Sequence, residues 1–196
     1  MKYILFKTAV DKVIAFTLII LFLPILIIIS LIISLIDGMP IFFIQERISR
    51  KRKFNIYKFK TMINKKTGLQ VTNNNDPRIT ILGKFLRKYK LDELPQLFNI
   101  LKGSMSFIGP RPESIYFLRY YPNSYFSYIN YVRPGLFDQY TILNLDESDY
   151  LAKFEEPEEE YINNIIPKKS NAAKEYYDKV SLSYDLTIIF NYIKKI

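Results

Sequence analysis

The sequence contains no cysteine, no histidine and no tryptophan, and only six glycines in 196 residues. Without cysteine there is neither a disulfide nor a thiol nucleophile, and nothing can be read about redox compartment. Without histidine the commonest acid–base side chain near neutral pH is missing, and most zinc sites are excluded. Any metal must be held by oxygen, which points to magnesium or manganese.

Acid is also scarce, with 19 Asp and Glu against 28 Lys and Arg and a formal charge of +9. Eight of the acids lie between Asp146 and Glu160, beside one Lys, so the rest of the chain carries 27 bases against 11 acids. A basic body with a separate acidic segment suits a phosphate-rich partner: nucleic acid, nucleotide or membrane surface.

Charge is wholly absent from the 24 residues Val13 to Ile36. As a helix that run is about 36 Å long, against a hydrocarbon core of roughly 30 Å. It is too long for the apolar region of a signal peptide and lacks a small-residue cleavage site. Pro24 stands at its midpoint, removing a backbone bond and crowding Ile20, so a kink is expected. Thr17 is the nearby hydroxyl that could serve the freed carbonyl. Lys2, Lys7 and Lys12 precede the run; Arg47, Arg50, Lys51, Arg52 and Lys53 follow it. Basic clusters favour the cytoplasmic side. A straight span would put one cluster outside, whereas a re-entrant hairpin keeps both inside and is the favoured expectation. A kinked spanning helix is the alternative.

Before that run, Tyr3, Phe6 and Val10 form one helical face, and Lys7 and Asp11 are spaced for an i,i+4 pair. Asp37-Gly38-Met39-Pro40 is a break. Ile41 to Gln45 and Phe54 to Met62 read as strands joined by the basic run Arg47 to Lys53, with Lys58 and Lys60 on one face. Ile63 to Asn75 reads as a loop. Tyr116 to Tyr131 is dense in aromatics, which suits base stacking or a membrane interface. Leu145 to Ile166 reads as helical and solvated, and Ala172 to Val180 as a short helix. Leu186, Ile189, Phe190 and Ile193 form one stripe of a C-terminal helix, suited to a membrane surface or to packing on the body.

The richest stretch runs from Asp76 to Glu113. Asp92 and Glu93 are adjacent, Pro95 follows, and Leu94, Leu97, Phe98 and Leu101 recur at helical spacing. Proline belongs in the first turn, which places Asp92 at or near a helix N-cap, where both carboxylates should stay ionised. Lys84, Arg87, Lys88 and Lys90 come before them, Lys102 and Arg111 after. Acids and bases at one helix mouth suit an anionic substrate with a divalent metal, most simply a phosphate ester; an ordinary capping acid is the plainer explanation. Two prolines around Arg111 hold its backbone extended so that its guanidinium can be aimed at phosphate.

The string Asp76-Pro77-Arg78-Ile79-Thr80, Gly83, Leu86-Arg87-Lys88, Leu91-Asp92-Glu93-Leu94-Pro95-Gln96-Leu97, Asn99, Leu101-Lys102-Gly103, Met105-Ser106 and Gly109-Pro110-Arg111-Pro112 closely resembles the bacterial sugar transferase family, the monotopic polyprenyl-phosphate phosphoglycosyl transferases. Tyr57-Lys58-Phe59-Lys60-Thr61-Met62, Asp11 with Ala15, and the apolar run with its central proline are similar too. The chain departs from many members at Leu23, where a Ser is common, at Lys7-Thr8, and after Gly135.

The resemblance implies transfer of a sugar 1-phosphate from a UDP-sugar to undecaprenyl phosphate with release of UMP. It implies Asp92 as nucleophile with Glu93 as its partner, magnesium held by both, and Arg87, Arg111, Lys58 and Lys60 near phosphate. The fold class expected is α/β of the α+β kind. Residues 1–37 would form a membrane-associated helix with a re-entrant hairpin broken at Pro24. Residues 38–196 would form a small cytoplasmic catalytic domain of helices and a few short strands, at the bacterial inner membrane. No nucleic-acid partner is expected, since nucleic-acid binding explains neither the apolar run nor the acid pair. A homodimer is left open.

Overall fold

One helix, α1 (Lys2–Ile36), carries the whole apolar run. The computed structural model describes residues 2–63, 71–72, 76–143 and 147–195. Among these, α1 is the one helix long and apolar enough to cross a membrane by length and composition. Its buried positions are Asp11, Ala15, Leu26, Ile29 and Ile33, with Leu18, Ile19 and Phe22 half-buried between them. Steps of three and four put all of these on one face. Ile20, Leu21, Leu23, Ile27, Ile28 and Leu31 stay bare on the others.

The helix runs on through Pro24 without interruption, so the two arms expected there are not seen as separate helices. Thr17 does not serve the carbonyl freed by Pro24. Its hydroxyl donates to Val13 O at 3.1 Å, because a helical Thr reaches back four residues along its own strand of the spiral.

β1 (Phe42–Ser49) and β2 (Arg52–Phe59) form an antiparallel hairpin, in register from Phe42 opposite Phe59 to Ser49 opposite Arg52. The basic run is therefore mostly strand rather than linker. Only Arg50 and Lys51 form the loop, both at positive φ (49° and 65°), the geometry whose twist matches a two-residue hairpin. The loop expected from Ile63 to Asn75 lies almost wholly outside the described residues.

α2 (Ile81–Lys88) begins at Thr80, whose hydroxyl accepts from Gly83 N–H and donates to Asp37 Oδ2 at 2.8 Å, tying it to the end of α1. A 3-10 turn (Leu91–Glu93) leads into α3 (Gln96–Lys102), closed by Gly103 at φ 81°. β3 (Ser106–Ile108) lies parallel to β4 (Gly135–Phe137), which comes after a 3-10 turn (Phe117–Tyr120) and α4 (Asn123–Tyr131). The two chains cross so closely there that a Cβ on Gly135 would stand 2.2 Å from Gly109 N. α5 (Gln139–Leu143), α6 (Glu147–Leu151), α7 (Pro157–Glu160), a π-helical turn (Tyr161–Ile165), α8 (Ile166–Lys179) and α9 (Leu182–Ile193) complete the chain. The architecture is helix-rich and mixed, with short strands, as the α+β expectation has it.

Three expectations are corrected by packing. Part of the aromatic stretch turns into the core: Phe117, Tyr121 and Tyr125 are buried with Tyr161, Ile165 and Leu151, so these rings are shut off from bases and lipid alike, while Tyr120 and Tyr131 stay exposed. The acidic segment is solvated only in part, since Leu151, Tyr161 and Ile165 anchor it in that core while Glu155, Glu156 and Glu159 stay exposed. Lys7 and Asp11 do not pair. Lys7 Nζ goes to Asp185 Oδ2 of α9 at 2.5 Å, beside Tyr3 and Tyr176, and Asp11 accepts from Ser106 Oγ at 2.6 Å. Both acids are buried, and tertiary partners replace the weak exposed pair that spacing alone suggests.

α8 starts six residues earlier than expected, with Pro167 tolerated in its first turn. α9 turns Asp185 and Ile188 inward, and the stripe Leu186, Ile189, Phe190 and Ile193 outward to the exposed side.

Candidate functional site

The two adjacent carboxylates sit in the 3-10 turn ahead of α3, not at its N-cap, a position held by Pro95. Lys90 enters the turn at φ 56°, reversing the chain after α2 and bringing the carboxylates back toward β2. Capping is thus not what Asp92 does, and the residue is buried, 7% exposed. Among the described residues it makes no side-chain hydrogen bond or ion pair.

Glu93 is engaged through one oxygen. Its Oε1 accepts from Lys58 Nζ at 2.6 Å and from Arg111 Nη2 at 2.7 Å. Lys58 comes from β2 and Arg111 from the Pro110-Arg111-Pro112 segment after β3, so three parts of the chain meet on one oxygen. The proline-fixed backbone does aim Arg111, but onto Glu93.

The expectation is that both carboxylates stay ionised at a helix mouth; the tertiary environment treats the two differently. Burial pushes Asp92 above the usual carboxylate range, and the charge of Glu93 adds to this; Lys58, Arg87 and Lys90 pull it back. Burial disfavours ionised Glu93 as well, but Arg111 and Lys58 overcome it and hold Glu93 far below the usual range. Burial lowers Lys58, against the pull of Glu93. Two adjacent acids with divergent affinities for a proton can take different roles.

Arg87 donates from Nε to Thr61 Oγ1 at 2.9 Å and lies close enough for Asp92 and Asp76 to act on its charge; burial lowers its pKa. Asp76 is itself forked onto Arg78, with contacts of 2.9, 3.1 and 2.6 Å. Lys60 parts from Lys58. Beyond the end of β2 the strand alternation no longer governs it, and its ammonium ties the carbonyls of Asp37 and Gly38 at 2.7 and 2.9 Å. Lys102 goes to the Tyr57 ring and hydroxyl, and Lys88 to the Tyr89 ring. Of the cations read from the sequence, Lys58, Arg87, Lys90 and Arg111 gather at the acid pair.

Two neighbours had no clear signal in the sequence. Tyr192, on the inward side of α9, is raised by burial and feels the charges of both Glu93 and Arg111. A shallow cleft opens beyond Arg111, lined by Gly109, Asp138, Gln139, Lys169 and Tyr176, four of which follow the point where the family pattern is lost. The outward stripe of α9 hid Tyr192, because periodicity marks the apolar face and says nothing of the other.

The described residues contain no group of three or more acids that could hold a metal. Magnesium does not need one, being commonly bound by one or two carboxylates together with substrate phosphates. Asp92 and Glu93, beside cations suited to a diphosphate, fit that mode.

Comparison with known proteins gives a consistent result. The family described as bacterial sugar transferase matches residues 2–196. The chain is 39% identical over 139 residues to a UDP-N-acetylgalactosamine-undecaprenyl-phosphate N-acetylgalactosaminephosphotransferase of Aeromonas hydrophila, covering 68% of this chain and 33% of that protein. It is 35% identical over 193 residues to a UDP-glucose:undecaprenyl-phosphate glucose-1-phosphate transferase of Escherichia coli (strain K12), covering 95% of this chain and 39% of that one. It is 41% identical over 124 residues to a UDP-galactose-lipid carrier transferase of Erwinia amylovora, covering 54% and 26%. The chain thus spans only about a quarter to two fifths of the length of these relatives.

Proposed function

The chain belongs to the bacterial sugar transferase family, and from that premise we propose that it transfers a sugar 1-phosphate from a UDP-sugar to undecaprenyl phosphate, releasing UMP, as the first membrane step of a bacterial surface glycan. The observation that carries this is the contrast within the acid pair: Glu93 is locked by Lys58 and Arg111, while buried Asp92 beside it accepts no hydrogen bond among the described residues.

Asp92 attacks the phosphorus that bears the sugar. The bond to the UMP phosphate breaks, and its electron pair leaves with UMP. A phosphosugar aspartate remains. An oxygen of undecaprenyl phosphate then attacks the same phosphorus, and the bond to Asp92 breaks, restoring the carboxylate. One nucleophile used twice lets a soluble donor and a lipid acceptor share one site in turn. Phosphoryl transfer needs alignment and the neutralisation of negative charge more than proton chemistry, which suits a site built without histidine. Arg111, Lys58 and Arg87 offset the charge of the diphosphate, Glu93 keeps the first two in place, and Lys60 fixes the strand end to α1. Magnesium, held by Asp92 and Glu93, would supply further neutralisation.

The re-entrant reading of α1 has support from packing. One stripe of the helix leans on β2, α2 and α3 on both sides of Pro24. A straight crossing would drag Lys58 and Glu93 into hydrocarbon along with those elements, at the cost of burying charge in lipid. Entry into one leaflet from the cytoplasmic face keeps the carboxylates at the headgroup plane, where the acceptor phosphate lies.

The test is UMP release and lipid-linked sugar formation by the purified full chain with magnesium, undecaprenyl phosphate and a panel including UDP-N-acetylgalactosamine, UDP-glucose and UDP-galactose. Asp92→Asn is expected to reduce transfer by about a thousandfold or more. No product across the panel, or normal turnover by Asp92→Asn, overturns the proposal. Cysteine labelling at positions 4 and 40 tests topology, with opposite-side labelling excluding re-entry.

A further inference from the structure

Among the described residues β2 is paired along one edge only, with β1. On its other edge the carbonyl of Asn55 and the N–H of Tyr57 point the same way, as groups two residues apart in a strand do. Both are taken by a single side chain. Asn99 of α3 accepts from Tyr57 N–H through Oδ1 at 3.1 Å and donates to Asn55 O through Nδ2 at 2.6 Å. A primary amide offers donor and acceptor side by side, so Asn99 stands where a third strand would. It is 1% exposed, and water does not compete for either bond.

Two bonds fix register as well as distance. A slip of β2 by one residue along α3 would move Lys58 by about 3.3 Å, more than the 2.6 Å contact between Lys58 Nζ and Glu93 Oε1 can absorb. Lys58 follows Tyr57 directly. Glu93 precedes Asn99 in one helical run, since both intervening boundary residues, Leu94 and Pro95, have helical backbone angles. The bonds from Asn99 to β2 and from Lys58 to Glu93 therefore close a ring, one link structural and one in the site.

We infer that Asn99 is a positioning residue: by clamping β2 to α3 it holds Lys58 in register with Glu93 beside Asp92. The inference rests on the proposed transfer reaction. Asn99 touches no reacting atom and acts through Lys58 alone.

The experiment uses the full chain in lipid nanodiscs, with UMP release measured at saturating undecaprenyl phosphate. Asn99→Ala is expected to lower kcat about tenfold and leave KM for the UDP-sugar within about twofold; in a Lys58→Met background the same change should cost less than about twofold, because the link it protects is already gone. Asn99→Asp keeps the acceptor for Tyr57 but loses the donor to Asn55 O and should give an intermediate kcat, with the melting temperature of each variant showing that it folds. Amide hydrogen exchange at Tyr57 should quicken in Asn99→Ala and stay slow in Asn99→Asp. Equal losses in both backgrounds, or a normal kcat despite fast exchange at Tyr57, overturn the positioning role. A wild-type protein that releases no UMP overturns instead the transfer reaction on which it rests.

Discussion

Replacing Glu93 by Gln isolates the electrostatics of the site. Glu93 Oε1 holds Lys58 at 2.6 Å and Arg111 at 2.7 Å. At such distances each attraction is worth about 6 kcal/mol before desolvation, taking an effective dielectric constant near 20. Burial of three ionised groups offsets most of that, and removing one partner of a buried pair typically leaves a net loss of about 3–5 kcal/mol. The amide oxygen of Gln keeps one neutral hydrogen bond worth about 1 kcal/mol, so the lower end, about 3 kcal/mol, is expected. In a chain of this size that lowers Tm by roughly 10 °C. Circular dichroism is the suitable probe, because the protein has no tryptophan.

The pH dependence has a definite sign. The folded protein holds Glu93 below its ordinary value of 4.5. Its contribution is complete above that value and disappears as pH falls through the lower folded value. The gap between wild type and Glu93→Gln should therefore stay constant through neutral and mildly acidic pH and close only in strong acid. Adding Lys58→Met removes one of the two stranded cations, so the double variant should melt above Glu93→Gln alone. A Glu93→Gln protein melting within about 2 °C of wild type, or a double variant that melts lower still, would refute the reasoning.

In the proposed reaction Asp92 attacks as a carboxylate, and burial raises its pKa; kcat/KM should then fall on the acid side at a pH above that of an ordinary aspartate. Lys58→Met, which removes a cation pulling Asp92 down, should move that limb further up, as a pH–rate profile would record. Gly83→Ala should destabilise by about 1–3 kcal/mol in urea unfolding, since its Cβ would stand 2.1 Å from Thr61 O. Phe190→Glu, on the exposed stripe of α9, should reduce flotation with anionic vesicles while leaving the melting temperature close to wild type.

Much of the fold could be read from residues close together in the chain. Val13 to Ile36 announces a helix by hydropathy alone, and Gly103 ends α3 because only glycine takes its left-handed angle at no cost. The turns at Asp37 and at Pro110 to Pro112, and the outward stripe of α9, follow from the same local chemistry. Two of the failures share one reason. Lys7 and Asp11 are one helical turn apart, which suggests a pair, yet each finds a partner far along the chain. Phe117, Tyr121 and Tyr125 have the composition of an interface and the burial of a core. Local spacing lists the partners that are near in sequence; it is silent on those that folding brings near in space.

The sequence by itself determined that two carboxylates would stand side by side in a basic chain without histidine, next to an apolar helix, because composition and proline placement depend on no distant contact. Only the tertiary structure decided which carboxylate is bound and which is free. That choice is made where β2, the turn before α3 and the proline segment converge, since Lys58 and Arg111 both donate to one oxygen of Glu93 and neither donates to Asp92.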